Sequence, residues 1–300
     1  MTTTNHESTK GAVSAPFSAG VGRTTVVVPP GACDCHLHVY NAMFPAVPGA
    51  KLTPRDASVS DYRSVQKRTG TVRAVVVTPS TYGSDNRAML EGLAALGSQG
   101  RGVSVVNTNV TDSDLQELHS LGVRGVRVNL SLGVGTDALQ IRPLAERIAQ
   151  WGWHLQLLAP PDTLLELSET LQALPVPLVL DHFGRIRPSM VNTHPAHALV
   201  LQLLSSGLAW VKLSGGYIVT ELGPPSYGDV ASLARSYLNV APDRVLWGTD
   251  WPHASATAGH QPLPDDAQQM DLLAQWVGDP KLLERVLVDN PAELYGFPLL

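Results

Sequence analysis

From about residue 25 to the C terminus, short apolar stretches rich in valine, isoleucine and leucine alternate with longer stretches of helical periodicity. Apolar runs of this kind are typical of parallel strands that are buried on both faces. Eight such runs occur, at residues 32–38, 73–80, 102–109, 125–131, 153–159, 177–184, 209–216 and 244–253. Helix signals lie between them, such as Thr111 followed three residues later by Asp114, a capping-box pattern. Eight strand–helix units predict an α/β fold, a (β/α)8 TIM barrel.

An open doubly wound sheet is the main alternative architecture, and it would need a glycine-rich phosphate loop after the first strand. The chain has the sequence HLHVYN at that point instead. We therefore predict a single barrel domain over residues 25–300. The Ser/Thr-rich residues 1–24 are expected to form a loose N-terminal arm. The long segment 39–57 has no clear periodicity, and we expect it to cover the site.

Composition narrows the range of partners. The formal net charge is −5 and there is no cluster of lysine and arginine, which argues against nucleic acid. No apolar run is long enough to span a membrane, and the N terminus lacks the pattern of a signal peptide. Two cysteines do not make a disulfide framework, so we expect a cytoplasmic protein. Whether it is a monomer or a homo-oligomer is left open.

The predicted strands end in polar residues. In a (β/α)8 barrel the C-terminal ends of the strands form the active-site face. Seven of the strands end in side chains that can hydrogen-bond or ionise, namely His38, Ser80, Asn109, Asn129, His182, Ser214 and Asp250. Strand five is the exception and ends at Leu158. Such residues are costly in a core but are expected around a catalytic cavity.

The first strand, CDCHLH, raises the question of which side chains face the barrel interior. Side chains alternate between the two faces of a strand. His36 and His38 are therefore predicted to face the interior together, with Asp34 one layer deeper. Cys33 and Cys35 would then face the helices as small buried hydrophobic groups. We predict that both histidines join His182 and Asp250 in one catalytic cluster.

Several motifs, taken together and in order, resemble those of the amidohydrolase superfamily. They are DCHLHVY, TPSTYGSDNR, LGVRGVRVN, VPLVLDHFGR, RVLWGTDWPH and NPAELYG, and they extend over roughly residues 30–295. Within the superfamily the chain resembles the branch that contains 2-pyrone-4,6-dicarboxylate lactonase, 4-sulfomuconolactone hydrolase and galactarolactone isomerase. The resemblance implies a barrel enzyme that acts on lactones.

Metal binding is where the chain departs from the superfamily pattern. The resemblance implies metal ligands on strands one, five, six and eight, often with a bridging lysine on strand four. Here strand four has no lysine, and the only histidine of strand five, His154, lies at its start. We expect His154 at the barrel floor, and the resemblance to lactonases of this branch implies catalysis without a cofactor. A single Zn²⁺ held by His36, His38, His182 and Asp250 remains the alternative.

The predicted reaction is hydrolysis of a small anionic lactone. Asp250 would act as general base toward water, and His36, His38 and His182 would polarise the carbonyl and stabilise the oxyanion. Arg127 and Arg185 are predicted to bind a carboxylate or sulfonate of the substrate. Further candidates for substrate binding are Ser80, Tyr82, Asn129, Tyr217, Trp251 and His253. Lys212 is expected to form a structural ion pair with Asp34.

The sequence leaves other functions open. The regions LSLGVGTD and LQLLAPP lack a basic residue and a tyrosine that the resemblance to the pyrone lactonase implies, so a smaller lactone ring fits better than the pyrone. A sulfomuconolactone-type or muconolactone-type substrate is our leading expectation, in bacterial catabolism of aromatic or sugar acids. The alternatives are a lactone isomerase, a mononuclear zinc-dependent hydrolase or decarboxylase, and a catalytically inactive binding protein.

Overall fold

Eight parallel strands pair in chain order and form the barrel that the sequence predicts. The computed structural model describes residues 12–132 and 137–298. The strands are β1 Cys33–Leu37, β2 Arg73–Val77, β3 Gly100–Ser104, β4 Val123–Asn129, β5 His154–Leu158, β6 Leu178–Leu180, β7 Ala209–Leu213 and β8 Val245–Trp247. A parallel bridge between Leu37 and Trp251 joins the end of β1 to the segment after β8.

Helices follow the strands and form the outer layer. They are α1 Val59–Thr69, α2 Arg87–Leu96, α3 Asp112–Ser120, α4 Ile141–Ile148, α5 Pro161–Glu166, α6 Ser168–Gln172, α7 Pro195–Ser205, α8 Gly216–Val219, α9 Val230–Val240, α10 Ala254–Thr257, α11 Asp266–Val277, α12 Pro280–Glu284 and α13 Asn290–Tyr295. The capping box predicted at Thr111 is present, and Ser58 forms a second one at the start of α1. None of the described helices is long and apolar enough to cross a bilayer.

All eight predicted strands are present, and each of them ends earlier than predicted. Strands β6 and β8 have only three residues each. Beyond them the backbone leaves the ladder, with positive φ angles of 48° at His182 and 65° at Asp250. A left-handed residue cannot continue a strand, so the chain turns where the polar side chains begin. These turns direct both side chains into the barrel mouth.

The first strand corrects the predicted assignment of faces. Cys33 and Cys35 pack inside the barrel with alternate residues of the other strands, such as Val75 and Leu246. Asp34 points outward instead, and its Oδ2 accepts a hydrogen bond of 2.9 Å from Tyr62 of α1. The prediction that the cysteines face the helices and Asp34 the interior is therefore wrong.

A β-bulge is the physical reason for this difference. Asp34 pairs with Ala74 and Leu37 pairs with Val76, so an advance of three residues along β1 matches an advance of two residues along β2. The extra residue breaks the strict alternation of side chains. As a result, Cys35 and His36 both point inward although they are adjacent, and His38 returns to the interior after the outward Leu37.

The described part of the predicted arm is packed against the barrel. The guanidinium of Arg68 is fully buried and donates hydrogen bonds to the carbonyls of Gly22 and Ala19 and to the Ser18 hydroxyl. Trp251 Nε1 donates to the Pro16 carbonyl at 2.8 Å. Residues 12–24 thus differ from the loose segment that was expected, because a buried arginine binds their backbone. Residues 1–11 lie outside the described part, and the division into arm and barrel remains a prediction.

The segment between β1 and α1 lies across one side of the barrel mouth. Val47 N donates to the carbonyl of Thr81, and Thr81 Oγ1 donates to the carbonyl of Leu52, at 2.9 and 2.5 Å. Tyr40 and Ala57 pair as an antiparallel bridge at the base of the segment. These bonds hold the tip of the segment, including Lys51, over the loop after β2 and beside the cavity described below.

Substitution of Gly248 tests how closely β8 must approach β1. A Cβ at this position would lie 2.7 Å from the His36 amide nitrogen and 2.8 Å from His36 Cβ. We expect Gly248→Ala to lower the free energy of unfolding by about 1–3 kcal/mol, because backbone must move to relieve the overlap. Urea denaturation measures this change. Gly228→Ala, whose Cβ would come no closer than 3.5 Å to Ser226 Oγ, is the matched control and should be close to neutral.

Candidate active site

A cavity of about 370 Å³ opens at the C-terminal ends of the strands. The predicted site residues that line it are His38, Ser80, Arg127, Asn129, His182, Arg185 and Asp250. They come from the ends of β1, β2, β4, β6 and β8, where a barrel enzyme carries its catalytic groups. Leu158 at the end of β5 adds an apolar surface to the same cavity.

Three imidazoles surround one carboxylate oxygen at the base of this cavity. Oδ1 of Asp250 lies 3.6 Å from His36 Nε2, 3.6 Å from His38 Nε2 and 3.8 Å from His182 Nε2. The two ring nitrogens Nε2 of His36 and His38 are 3.3 Å apart. All four side chains are buried, and His36 lies behind the cavity lining. The structure thus brings together the four groups that were predicted from distant parts of the sequence.

The other nitrogen of each imidazole contacts the protein. Nδ1 of His38 donates to the Val77 carbonyl at 2.7 Å, because a carbonyl can only accept. Nδ1 of His182 is 2.9 Å from the Ser214 hydroxyl, which can donate or accept. Neutral His38 therefore directs a lone pair from Nε2 toward Asp250. Neutral His182 can direct an N–H there when Ser214 donates to its Nδ1.

The Nε2 atoms and Asp250 fit a single divalent cation. His36, His182 and Asp250 each offer a ligand atom, and these atoms lie within 4.8 Å of one another. Two nitrogens bound to one tetrahedral Zn²⁺ at about 2.0–2.1 Å would be roughly 3.4 Å apart, close to the 3.3 Å between His36 and His38. Contacts at Nδ1 that fix the ring orientation are also typical of metal-binding histidines.

The same groups can also be satisfied by protons alone. Lys212 Nζ lies 3.3 Å from Nδ1 of His36 and can donate to it. His36 would then donate from Nε2 to Nε2 of His38, which donates in turn from Nδ1 to the Val77 carbonyl. In this arrangement each ring nitrogen of His36 and His38 either donates or accepts a hydrogen bond. Which nitrogen of His36 carries the proton decides between the two arrangements.

Asp250 is held in place by its backbone and by Tyr217. Its amide donates to the His36 carbonyl at 2.8 Å, and the Tyr217 hydroxyl donates to Oδ2 at 2.6 Å. Burial by itself raises the pKa of Asp250, but the imidazoles of His182, His36 and His38 and the Tyr217 hydroxyl outweigh it and lower the pKa to about 2. Asp250 is therefore ionised at neutral pH, and only Oδ1 faces the imidazoles.

Burial has the opposite consequence for the histidines, since it disfavours the charged imidazolium. It lowers the pKa of His38 to about 4, assisted by the Arg127 guanidinium and opposed by Asp250. Burial also lowers the pKa of His36 well below its ordinary value, although Asp181 opposes this shift. The pKa of His182 is lowered for the same reason. Near neutral pH the cluster consists of an aspartate and three neutral imidazoles.

A second carboxylate, Asp181, connects the imidazoles to the arginine of β4. Its Oδ2 accepts a hydrogen bond of 3.0 Å from Arg127 Nε, and its Oδ1 lies 3.2 Å from His36 Nδ1. Burial raises the pKa of Asp181, but His36 and Arg127 outweigh burial and hold the pKa well below its ordinary value. Sequence reasoning missed this residue, although it directly precedes His182 in the motif LDHFGR.

Asp181 also replaces Asp34 as the partner of Lys212. Lys212 Nζ is fully buried, donates to Gln156 Oε1 at 2.7 Å and lies 3.9 Å from Asp181 Oδ1. The carboxylate of Asp34 accepts hydrogen bonds from Tyr62 and Thr249 on the other side of the sheet. The predicted ion pair between Lys212 and Asp34 is wrong, because the bulge in β1 turns Asp34 away from the interior.

The other predicted site residues divide into two groups. Asn129 Nδ2 donates to Ser80 Oγ at 2.6 Å in the cavity wall, and His154 is at the start of β5, as predicted. Four predicted substrate-binding residues, Tyr82, Tyr217, Trp251 and His253, are buried outside the cavity lining, and Tyr217 bonds Asp250 instead. Tyr82 bonds the backbone of residue 41, Trp251 packs on Tyr62, and His253 pairs with Asp266. Asn109 lies on an exposed loop five residues beyond β3 and does not reach the mouth.

The charge balance around Asp181 can be tested with two substitutions, made singly and together. Asp181→Asn leaves the buried cations Arg127 and Lys212 without their carboxylate, so we expect a loss of about 3–5 kcal/mol in the free energy of unfolding. Lys212→Met, added to Asp181→Asn, should cost less than the sum of the two single changes. Urea denaturation of the three variants gives the coupling energy. Strictly additive losses would contradict the charge balance described here.

Comparison with known proteins gives the family. The family model described as amidohydrolase matches residues 33–297. The chain is 36% identical over 280 residues to a 2-pyrone-4,6-dicarboxylate hydrolase of Comamonas testosteroni, covering 89% of this chain and 91% of the relative. It is 33% identical over 275 residues to a 4-sulfomuconolactone hydrolase of Rhizobium radiobacter, covering 90% and 91%.

Two further proteins bear on the function. A D-galactarolactone isomerase of Agrobacterium fabrum is 30% identical over 271 residues, covering 89% of this chain and 91% of the relative. The crystal structure of a probable 2-pyrone-4,6-dicarboxylic acid hydrolase from Acinetobacter baumannii, with citric acid bound, is 28% identical with a TM-score of 0.77. The match covers 89% of this chain and 100% of that one. This chain belongs to the amidohydrolase family.

Proposed function

We propose that the protein is a hydrolase that opens a small lactone bearing a carboxylate or sulfonate. The observation that carries the proposal is one Asp250 carboxylate oxygen among three buried imidazoles, in a cavity whose other charged walls are basic. Lys51, Arg127, Arg185 and Arg187 line that cavity, and Asp250 is the one carboxylate among its described lining residues. Such a cavity favours an anionic substrate and supplies a base beside it.

The reaction follows from the orientation of these groups. Asp250 Oδ1 accepts a proton from water while the oxygen of that water attacks the lactone carbonyl. His182 presents an N–H to the developing oxyanion when Ser214 donates to its Nδ1. Collapse of the intermediate breaks the ring C–O bond, and the proton passes to the alkoxide that leaves. The products are a hydroxyl and a carboxylic acid on one open chain, and the acid ionises by releasing its proton to solvent.

Two arginines are proposed to bind the acidic group of the substrate. Arg127 uses Nε for Asp181 and still has its terminal nitrogens for the cavity. Arg185 lines the cavity on the loop after β6, and a planar guanidinium matches a carboxylate or a sulfonate. The similar structure from Acinetobacter baumannii has citric acid bound, a molecule that carries several carboxyl groups. The relatives named for pyrone dicarboxylate and sulfomuconolactone act on anionic lactones.

The identity of the ring is proposed from the wall at β5. Leu158 ends this strand and lines the cavity without any hydrogen-bonding group. This favours a five-membered lactone of the sulfomuconolactone or muconolactone type over the flat pyrone diacid. Such substrates belong to the catabolism of aromatic or sugar acids, and we expect the enzyme to act in the cytoplasm.

Lactone isomerisation is the second candidate, because a D-galactarolactone isomerase is among the relatives. In that reaction Asp250 would take a proton from a hydroxyl of the substrate instead of from water. The resulting alkoxide would attack the same carbonyl and form a new ring. The two reactions need the same base and the same oxyanion donors, so only the product distinguishes them.

A divalent cation at the imidazoles and Asp250 would polarise the carbonyl and lower the pKa of a bound water. We nevertheless propose that the enzyme works without one. Strand β4 has no lysine to bridge two metals, and β5 has no histidine at its mouth end. His36 and His38 have a complete set of hydrogen bonds through Lys212 and Val77, and His182 bonds the Ser214 hydroxyl.

A panel of acidic lactones tests the proposal. The protein is incubated with 4-sulfomuconolactone, muconolactone, D-galactarolactone and 2-pyrone-4,6-dicarboxylate, before and after treatment with a chelator, and the products are identified by NMR. We expect an open-chain acid from a five-membered lactone, with kcat unchanged by the chelator. A new ring as product would establish the isomerase. Activity lost to the chelator and restored by Zn²⁺ would establish the zinc-dependent hydrolase.

Removal of the base gives a sharper test on the substrate that the panel identifies. Asp250→Asn should lower kcat by about 10²–10⁴-fold, because the amide cannot accept the proton of water. The exposed Asp162→Asn on α5 is the matched control and should keep full activity. Near-normal kcat in Asp250→Asn would mean that another group is the base.

The pH dependence follows from the two titrations in the cluster. Asp250, with a pKa lowered to about 2, is ionised above that value, and His38, with a pKa lowered to about 4, is neutral above that value. The reactive state therefore forms as the pH rises through about 4, and kcat/KM should be level from about pH 5 to neutrality. Tryptophan fluorescence at each pH checks that the protein is folded. A rise centred near pH 6.5 would show that an imidazole titrates normally.

A further inference from the structure

The described part of the N-terminal arm, residues 12–24, contacts the residue that follows the proposed base. Trp251 Nε1 donates a hydrogen bond of 2.8 Å to the Pro16 carbonyl. The ring of Phe17 meets the Trp251 ring edge-on, with centroids 5.8 Å apart. Trp251 is fully buried, and these residues cover one side of it.

Arginine side chains hold the arm at this place, and one of its residues has a strained backbone conformation. Phe17 has a φ angle of 61°, a left-handed conformation that a phenylalanine keeps only when its surroundings hold it. The guanidinium of Arg55 lies over the Phe17 ring, 5.4 Å from its centroid. Arg68, fully buried, bonds the backbone a few residues farther along and pairs with Asp265. A buried guanidinium that binds both a carboxylate and the arm backbone fixes the arm in one position.

Trp251 links the arm to Asp250, because both residues form backbone hydrogen bonds with the end of β1. The Trp251 carbonyl accepts from the His38 amide and the Asp250 amide donates to the His36 carbonyl, both at 2.8 Å. Asp250 itself has a φ angle of 65°, so its backbone also needs support from outside. The Trp251 ring also packs against Tyr62 of α1, with 5.6 Å between centroids. Trp251 therefore contacts both α1 and the arm.

We propose that the N-terminal arm is a positioning element for catalysis, in which Pro16 and Phe17 hold Trp251 and thereby the left-handed backbone that aims Asp250 at the imidazoles. The inference rests on the proposed role of Asp250 as the base. None of the described arm residues, 12–24, lines the cavity, so the arm should affect kcat and leave KM nearly unchanged. A small displacement of a catalytic group is enough to lower the rate strongly.

Four variants of the full chain test this. Phe17→Ala removes the ring contact, and Trp251→Phe removes the donor to Pro16 but keeps an aromatic ring. Phe17→Tyr keeps the ring and is the conservative variant that should restore activity. Val21→Ala is the matched control, since Val21 lies in the same segment, is 51% exposed and bonds Val13 through its backbone carbonyl. Kinetics are measured well below the melting temperature of each variant, on the lactone opened fastest in the panel.

Hydrogen–deuterium exchange of the backbone at residues 248–253 is measured on the same proteins and needs no substrate. We expect Phe17→Ala and Trp251→Phe to speed this exchange and to lower kcat by about tenfold to a hundredfold, with KM within about twofold. Phe17→Tyr and Val21→Ala should resemble the unchanged protein in both measurements. Unchanged exchange, unchanged kcat despite faster exchange, or an equal loss in Val21→Ala would each overturn the inference. Full activity in Asp250→Asn would overturn the proposed function instead, and the exchange result would still stand.

Discussion

Two backbone hydrogen bonds between the ends of β8 and β1 are the contacts on which the site depends. The Asp250 amide donates to the His36 carbonyl and the His38 amide donates to the Trp251 carbonyl, each at 2.8 Å. These bonds continue the closure of the barrel and at the same time fix the base relative to two of its three imidazoles. A change in how β8 meets β1 would therefore alter the fold and the chemistry together, which is why Gly248, without a Cβ, stands at their closest approach.

Electrostatics around this junction favours one charge state. Burial alone would drive Asp181 and Asp250 toward their neutral acids, and it drives the histidines toward neutral imidazole. The imidazoles and the Tyr217 hydroxyl outweigh burial at Asp250, whereas His36, Arg127 and Lys212 outweigh it at Asp181, and both carboxylates keep their charge. The result is a base that is ionised at neutral pH yet shielded from bulk water. Its low pKa makes it a weak base in water, so its effect on a substrate depends on position more than on basicity.

Much of this arrangement could be predicted from strand ends. The alternation of apolar runs and helices gave the barrel, and its geometry placed His38, His182 and Asp250 at one mouth. The predictions that were wrong concern local features of single strands. A bulge between Asp34 and Leu37 has no mark in the sequence, yet it reverses the face of every residue before it. Lys212 consequently meets Asp181, a residue that reads as part of an apolar strand until the partners on β1, β4 and β7 are seen around it.

Residues after β8 show a second limit of sequence reasoning. Trp251 and His253 follow Asp250 so closely that both were expected to touch substrate, but successive residues of a turn point in different directions. Positive φ angles at Asp250 and His253 send one carboxylate into the cavity and the neighbouring rings behind it. There Trp251 meets the arm and α1, and His253 meets Asp266 of α11.

The same imidazoles serve either a cation or a chain of protons, and the residue that decides is outside the cavity. Nδ1 of His36 has Asp181 Oδ1 at 3.2 Å and Lys212 Nζ at 3.3 Å, an acceptor and a donor at nearly equal distance. If Nδ1 carries the ring hydrogen and donates it to Asp181, then Nε2 has a free lone pair and the cluster favours a metal ion. If Lys212 donates to Nδ1, then Nε2 carries a hydrogen toward His38 and the lone pair is lost. Asp181 and Lys212 thus act on the same nitrogen in opposite directions, and their balance sets whether the cluster offers a ligand or a hydrogen at Nε2 of His36.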